Sequence, residues 1–202
     1  MGTVDTALVL ALDGSASVNF DEFDLVTRAM GAALRDAEVV AGLLDGKRQA
    51  SFVCLLLWSG TTAQEILVDW TRLASRADVE DLAGLVADVP RLVRPGATAI
   101  GEALLAAARL LARAPSASTR QVIDVIGDGR SNEGIAPGPV RDRLAETGVT
   151  INGLCLLHEE PDVLRHYEAE VIGGPGAFAL PCPHPMAFAD AMRRKLLREL
   201  VS

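Results

Sequence analysis

The sequence TALVLALDGSAS occupies residues 6–17 and decides the fold of this chain. Six apolar residues follow Thr6 without interruption, and the run then stops at Asp13-Gly14. A continuous apolar run of this length, closed by a turn, is typical of a strand buried on both faces of a parallel sheet. Such a sheet needs helices on both faces, so the segment predicts an α/β protein.

The rest of the chain alternates short apolar runs with helical patterns. Gln64–Trp70 alternates apolar and polar residues after a short link, which predicts an antiparallel edge strand beside Ser51–Trp58. The other predicted strands are Gln121–Gly127, Val149–Leu157 and Ala177–Leu180. The predicted helices start near Phe20 and then span Ala37–Leu44, Arg76–Val89, Thr98–Arg113, Pro139–Thr147, Asp162–Val171 and Pro185–Leu200. We therefore expect a single domain over residues 1–202: a doubly wound, mostly parallel sheet with one antiparallel edge strand and helices on both faces.

Composition excludes several classes of function. Half of the 202 residues are hydrophobic, which is enough for a sizeable core. The net charge of -8 argues against nucleic acid as a partner. No apolar run is long enough for membrane insertion. Residues 1–5 lack a basic signal segment, so we expect a cytoplasmic protein as the chain stands, or a periplasmic one if a signal peptide has been removed. The three scattered cysteines, Cys54, Cys155 and Cys182, are expected to be buried thiols.

Oxygen-bearing side chains follow the strands where a doubly wound sheet binds its ligands, outside the carboxyl ends. Asp13, Ser15 and Ser17 alternate along the loop after the first strand, so their oxygens can converge. Asp128 follows a later strand, and Thr98 opens a helix. Right-handed crossovers would place all five at one sheet edge. These ligands suit Mg²⁺, with Mn²⁺ or Ca²⁺ as alternatives.

The charge of this predicted site favours binding over catalysis. Its five residues supply two carboxylates and three neutral hydroxyls, so a divalent ion would keep part of its charge. We therefore expect the ion to take one more anionic ligand, an Asp or Glu carboxylate from a partner protein.

These residues resemble the metal-ion-dependent adhesion site of von Willebrand factor A (VWA) domains. Asp13–Ser17 matches the D-x-S-x-S motif of that family, and Thr98 and Asp128 match its remaining Thr and Asp. The resemblance covers almost the whole chain, including the hairpin over Ser51–Trp70. It implies a VWA fold, a divalent cation at these positions and a protein partner.

A second resemblance is to a bacterial group of VWA-like domains of unknown function, whose members are usually exported. This chain departs from that group because it shows no export signal. The segments that carry the resemblance are RQVIDV (residues 120–125), GDG (127–129), VTINGL (149–154), GGPGAF (173–178) and MRRKLLREL (192–200).

Each candidate ligand also has a simpler interpretation. Ser15 and Ser17 could be helix N-caps, but Asn19, with Glu22 in capping-box position, is a better cap and frees both serines. By position alone, Thr98 is a typical cap. Asp128-Gly129 could be a plain turn. The partnership of all five residues favours the metal site.

Several other polar residues are assigned mainly structural roles. Asp124 is expected to be structural and paired with an arginine such as Arg120. Asn132 and Glu133 either line the rim of the site or are solvated. The three histidines are expected at the surface, as His158, His166 and His184. The last helix is predicted to carry a solvated basic face or a docking surface for an acidic partner, formed by Arg193, Arg194, Lys195 and Arg198.

Two alternative functions remain at this stage. The pair Asp13 and Asp128 near a divalent ion could serve a metal-dependent hydrolase of phosphate esters, although no lysine lies near these loops and no nucleotide-binding or hydrolase motif is present. The second alternative is a scaffold subunit that has a vestigial metal site and docks through its last helix.

Overall fold

A computed structural model describes residues 2–200. Six strands form one sheet in the order β3-β2-β1-β4-β5-β6. The strands are β1 (Val4–Asp13), β2 (Ser51–Trp58), β3 (Gln64–Leu73), β4 (Ser118–Gly127), β5 (Thr150–Leu156) and β6 (Ala179–Cys182). The helices are α1 (Phe20–Leu34), α2 (Ala37–Leu43), α3 (Arg76–Ala87), α4 (Ile100–Ala112), α5 (Pro137–Glu146), α6 (Val163–His166) and α7 (Phe188–Leu200). None of the described helices is long and apolar enough to cross a membrane.

The central strand β1 is buried on both faces, as its apolar run predicts. Leu8 and Leu10 pack against α1, α2, α3 and α7, whereas Ala7 and Val9 pack against α4, α5 and α6. All neighbouring strands are parallel except β2 and β3, which are antiparallel. The predicted fold class is therefore confirmed, including the antiparallel edge strand.

The strand order places a binding crevice at the end of β1. Strand β1 pairs with β2 on one side and with β4 on the other. The chain thus builds outward in both directions from this point, which is the topological switch where doubly wound sheets bind ligands. Asp13 is the last residue of β1, and Asp128 directly follows β4.

Most predicted elements are present, with differences near the carboxyl terminus. The helix predicted over Asp162–Val171 is the short α6 followed by a π-helical turn over Tyr167–Val171. The strand predicted over Ala177–Leu180 is shifted to Ala179–Cys182. The cysteines are free and buried, as expected.

The predicted basic face of the last helix is wrong, because Lys195 is fully buried. Its ammonium contacts the carboxylate of Asp124 and lies 3.6 Å from Glu199 Oε2. Asn152 Nδ2 donates to Glu199 Oε1 at 2.5 Å. Asp124 thus pairs with Lys195 and not with Arg120, whose guanidinium donates to the Glu199 carbonyl. The buried ammonium of Lys195 therefore offsets the negative charge that Asp124 of β4 carries into the core.

The other basic side chains of α7 are distributed over separate contacts. Arg193 donates to Asp36 and Glu38 beside α2. Arg194 pairs with Asp190 one turn away, and the Arg198 guanidinium lies 4.1 Å from the Phe178 ring centre. The arginines of α7 therefore have different partners and do not form the single basic face that the sequence pattern predicted.

Glu199 makes folding stability depend on pH. Burial and the charge of Asp124 raise the pKa of Glu199 from 4.5 to about 8. The folded protein therefore holds a proton that the unfolded chain has lost, and stability falls as the pH rises through this window. We expect Glu199→Gln to be more stable than wild type at pH 9, by on the order of 1 kcal/mol or more, with little difference at pH 5. Urea unfolding at the two pH values measures this, and an equal pH dependence in both proteins would contradict it.

Candidate metal centre

Four of the five predicted ligands are joined at the ends of β1 and β4. Asp13 Oδ1 accepts from the Ser15 amide at 2.6 Å, which folds the loop back on the strand end. Ser15 Oγ lies 3.1 Å from Ser17 Oγ, and Ser17 Oγ donates to Asp128 Oδ1 at 2.8 Å. Side chains 111 positions apart in sequence therefore meet around one point.

Thr98 reaches the same edge through the loop before α4. Its amide donates to Asn132 Oδ1 at 2.9 Å, and its carbonyl accepts from the Asn132 amide at 3.0 Å. This reciprocal pair fixes Thr98 against the loop that follows β4. A β-carbon added at Gly129 would lie 3.6 Å from Thr98 Oγ1, so the hydroxyl lies beside the residue that follows Asp128. Asn132 is therefore a positioning residue for Thr98.

The two carboxylates are buried without full compensation. Asp13 and Asp128 are each 1% exposed, and Oδ2 of each makes no hydrogen bond to any group in residues 2–200. Burial, followed by the charge of Asp128, raises the pKa of Asp13 from 3.8 to about 7. Burial also raises the pKa of Asp128. Unpaired buried oxygens are costly, and a bound cation would supply their missing partner, so the residues present fit a divalent ion.

Arg91 is part of this centre, although no sequence pattern marks it. Its Nη2 donates to the carbonyls of Gly14 and Ser15 at 2.8 Å each, and its guanidinium lies 5.1 Å from the centre of the Phe20 ring. These contacts hold the Asp13–Ser17 loop from the side of the loop before α4. The contact between residues 76 positions apart could not be inferred from sequence.

Gly127 provides the space in which Asp13 is seated. A β-carbon at this position would lie 2.9 Å from Asp13 Oδ2 and 2.7 Å from the Tyr167 hydroxyl. Tyr167 is itself buried, and its hydroxyl makes no hydrogen bond within the described residues. A side chain at the last residue of β4 would therefore force the Asp13 carboxylate or the Tyr167 hydroxyl to move.

Substituting Gly127 by alanine tests this packing. We expect Gly127→Ala to displace the Asp13 carboxylate, to weaken Mg²⁺ binding at least about tenfold and to lower stability by about 1–3 kcal/mol. Titration calorimetry and thermal unfolding measure the two effects. Gly129→Ala is the matched control, because its added carbon meets only ordinary contacts. Equal Mg²⁺ affinity and equal stability of the two variants would show that the position of the Asp13 carboxylate does not depend on a glycine at position 127.

The first turn of α1 is capped only in part as predicted. Asn19 Oδ1 accepts from the Glu22 amide at 2.9 Å, which confirms the cap. The Glu22 side chain does not complete a capping box; its Oε1 lies 2.7 Å from His158 Nε2, in the segment after β5. His158 was expected at the surface, and this contact was not predicted.

Glu133, in the loop after β4, and His166, the last residue of α6, both make contacts that were not predicted. Glu133 Oε2 accepts from the Thr61 amide at 3.0 Å. His166 is half-buried, and its Nε2 accepts from the Ser131 amide at 3.2 Å. Burial lowers the pKa of His166, which keeps the ring neutral and able to accept this bond. His166 was expected at the surface, and this expectation is wrong; both contacts brace the loop after Asp128.

The sequence matches one family along nearly its full length. Residues 3–202 match the model of a family described as "Protein of unknown function (DUF1194)". No curated protein is significantly similar in sequence.

Solved structures show that the fold is that of VWA domains. A von Willebrand factor type A protein from Catenulispora acidiphila aligns with a TM-score of 0.62 and 18% identity over 98% of this chain. The mussel byssus protein PTMP1, with a zinc-occupied MIDAS motif, aligns with a TM-score of 0.66 and 17% identity over 98%. The conserved hypothetical protein BatB from Bacteroides thetaiotaomicron aligns with a TM-score of 0.61 and 14% identity over 97% of this chain.

The extent of these alignments differs. This chain spans 43% of the first protein and 46% of the second, but 98% of BatB. At such low identity the likeness concerns the fold.

Proposed function

The chain belongs to the DUF1194 family, and we propose that it is a divalent-cation-dependent protein-interaction module. The cation, Mg²⁺ in our proposal, is held by Asp13, Ser15, Ser17, Thr98 and Asp128. A carboxylate from an Asp or Glu of a partner protein completes its coordination. The zinc-occupied MIDAS motif of mussel PTMP1, on the same fold, supports a metal at this edge of the sheet.

The observation that carries the proposal is the pair of buried, unpartnered oxygens, Asp13 Oδ2 and Asp128 Oδ2. Two carboxylates this deeply buried destabilise the fold unless a proton or a cation neutralises them. The Ser17 hydroxyl already donates to the other oxygen of Asp128, Oδ1, and the Ser15 hydroxyl lies within hydrogen-bonding distance of the Ser17 hydroxyl. A hard cation with oxygen ligands satisfies all of these groups together.

The ligand set also favours an acidic partner. Three ligands are neutral, so the ion stays electrophilic toward a further anion. The Ser17 side chain is exposed at the rim, which leaves this side of the site open to a partner.

No observation favours the phosphate-ester hydrolase. The two lysines of the chain are Lys47, exposed between α2 and β2 at the opposite sheet edge, and Lys195, buried against Asp124. Neither can bind a phosphate at the candidate centre. The proposal therefore contains no catalytic step.

Metal binding is tested by titration calorimetry with Mg²⁺ on wild type and on Asp13→Ala. We expect one ion to bind wild type and no measurable binding to the variant. Asp21→Ala, on the exposed side of the first turn of α1, is the matched control and should bind like wild type. Equal binding by wild type and Asp13→Ala would remove the proposal.

Partner binding is tested by affinity purification from the native extract with Mg²⁺, with EDTA, and with Asp13→Ala in Mg²⁺. We expect one protein to be retained only in the first arm, and an Asp→Asn or Glu→Gln substitution in that protein to abolish retention. A partner bound equally well in EDTA would instead favour a scaffold with a vestigial site.

A further inference from the structure

A cluster beside the candidate centre contains a nitrogen ligand. Glu22 in the first turn of α1, Asp128 after β4 and His158 after β5 each place one potential ligand atom within 4.8 Å of the others. Three separate elements contribute these groups, all at the same edge of the sheet. None of the motif residues other than Asp128 belongs to this cluster.

Two of these groups, Glu22 and Asp128, are buried, so they are not ordinary solvated surface acids. Glu22 is 8% exposed and Asp128 is 1% exposed. Asp128 Oδ1 accepts the hydrogen bond from Ser17, whereas Asp128 Oδ2 is buried and makes no hydrogen bond in the described part of the chain. A buried carboxylate oxygen without a partner points to a cation that has this oxygen as a ligand.

His158 distinguishes this cluster from the oxygen-only centre. Its side chain is 22% exposed, so a metal ion can reach Nε2 from solvent. Imidazole is a good ligand for zinc and other late divalent ions but a poor one for Mg²⁺ or Ca²⁺. One imidazole with two carboxylates is a three-ligand set that leaves a coordination position for water or a partner group.

We infer that Glu22, Asp128 and His158 form a second metal site, selective for a zinc-like divalent ion. Asp128 belongs to both sites and would bridge the two ions through its carboxylate. The second site goes beyond the proposed function, because it can bind its ion whether or not a partner protein binds at the first. Glu22 Oε1 and His158 Nε2 lie 2.7 Å apart, so these two ligand atoms are already side by side at the proposed site.

The competing interpretation is that His158 and Glu22 form only an ion pair. It predicts that zinc binds solely at the Asp13 centre, as in a zinc-occupied MIDAS motif. The two interpretations differ in the effect of replacing His158, because the substitution removes a zinc ligand in one case and only a contact with Glu22 in the other.

The test is titration calorimetry with Zn²⁺ on the full chain in saturating Mg²⁺, which occupies the first centre. We expect one Zn²⁺ to bind wild type, and His158→Gln and Glu22→Gln to weaken this binding at least about tenfold. His184→Gln, at another exposed histidine, should bind like wild type. Unchanged Zn²⁺ affinity in His158→Gln would overturn the inference.

Two further measurements separate this result from failure of the first centre. Thr98→Ala should lose Mg²⁺ binding but keep the His158-dependent Zn²⁺ binding. The three histidine ring signals in NMR spectra can be assigned with Gln variants, and Zn²⁺ should shift the His158 signal while leaving His184 in place. If Zn²⁺ leaves the His158 ring signal unchanged, the ion pair alone explains the contact.

Discussion

Replacing Lys195 by methionine is expected to destabilise the protein by about 3–5 kcal/mol, because it leaves the Asp124 carboxylate buried without its cation. Lys195 and Asp124 are both 0% exposed, so solvent cannot replace the lost contact. For a chain of this length, the loss corresponds to a fall in Tm of roughly 10 °C. Thermal and urea unfolding measure it.

Two comparisons make this result specific. Arg194→Met removes an exposed pair with Asp190 and should cost no more than about 0.5 kcal/mol. Adding Asp124→Asn to Lys195→Met should recover part of the loss, since it removes the uncompensated charge. A Lys195→Met protein as stable as Arg194→Met would show that the buried pair contributes little.

Asp13→Asn should reverse the order of stability between metal-free and metal-loaded protein. The raised pKa of Asp13, about 7, means that its ionised form destabilises the metal-free fold above that pH. At pH 8 in EDTA, the variant should therefore unfold at a higher temperature than wild type. In saturating Mg²⁺ the wild type should be the more stable, because the variant has lost at least about 100-fold in affinity, roughly 2.7 kcal/mol.

The prediction is tested by the sign of the difference in unfolding temperature between Asp13→Asn and wild type, in EDTA and in Mg²⁺. Asp21→Asn, an exposed acid on α1, should follow wild type in both conditions. The advantage of Asn should shrink as the pH falls from 8 and should be lost only near the ordinary pKa of 3.8, where the unfolded chain also holds this proton. A variant less stable than wild type in EDTA at pH 8 would show that the Asp13 charge is compensated without metal.

The sheet could be predicted because its strands carry their own signal. Strand β2 has the predicted bounds, Ser51–Trp58, since every residue in it is buried and apolar residues fill it almost without interruption. The alternation in Gln64–Trp70 identified the edge strand for the opposite reason, because one face is exposed. Periodicity reports burial, and these segments differ only in how many faces are buried.

The buried cluster around Lys195 could not be predicted, because a periodic pattern indicates burial only where the buried residues are apolar. Helix α7 buries Lys195 and Glu199 in its core stripe, and a pattern of charges in sequence is typical of a solvated face. Only the pairing with Asp124, 71 positions earlier on β4, reverses that interpretation. The contact is a property of the packed helix and strand, not of either segment.

At the candidate centre, the motif identified residues and the fold supplied their neighbours. Asp13, Ser15 and Ser17 are recognisable because they alternate after a strand. Arg91 and His158 follow no spacing rule, since each comes from a different loop and meets the centre only after folding. Contacts between loops of separate crossovers depend on strand order, which local sequence does not encode.

The most direct test of the central claim is a crystal structure with Mn²⁺ in place of Mg²⁺, located by anomalous scattering. We predict an ion between β1 and β4 with Ser15 Oγ and Ser17 Oγ as direct ligands at about 2.1 Å, Asp13, Thr98 and Asp128 around it, and one position open to a carboxylate. A fully loaded crystal with no anomalous peak among these five residues would contradict the account.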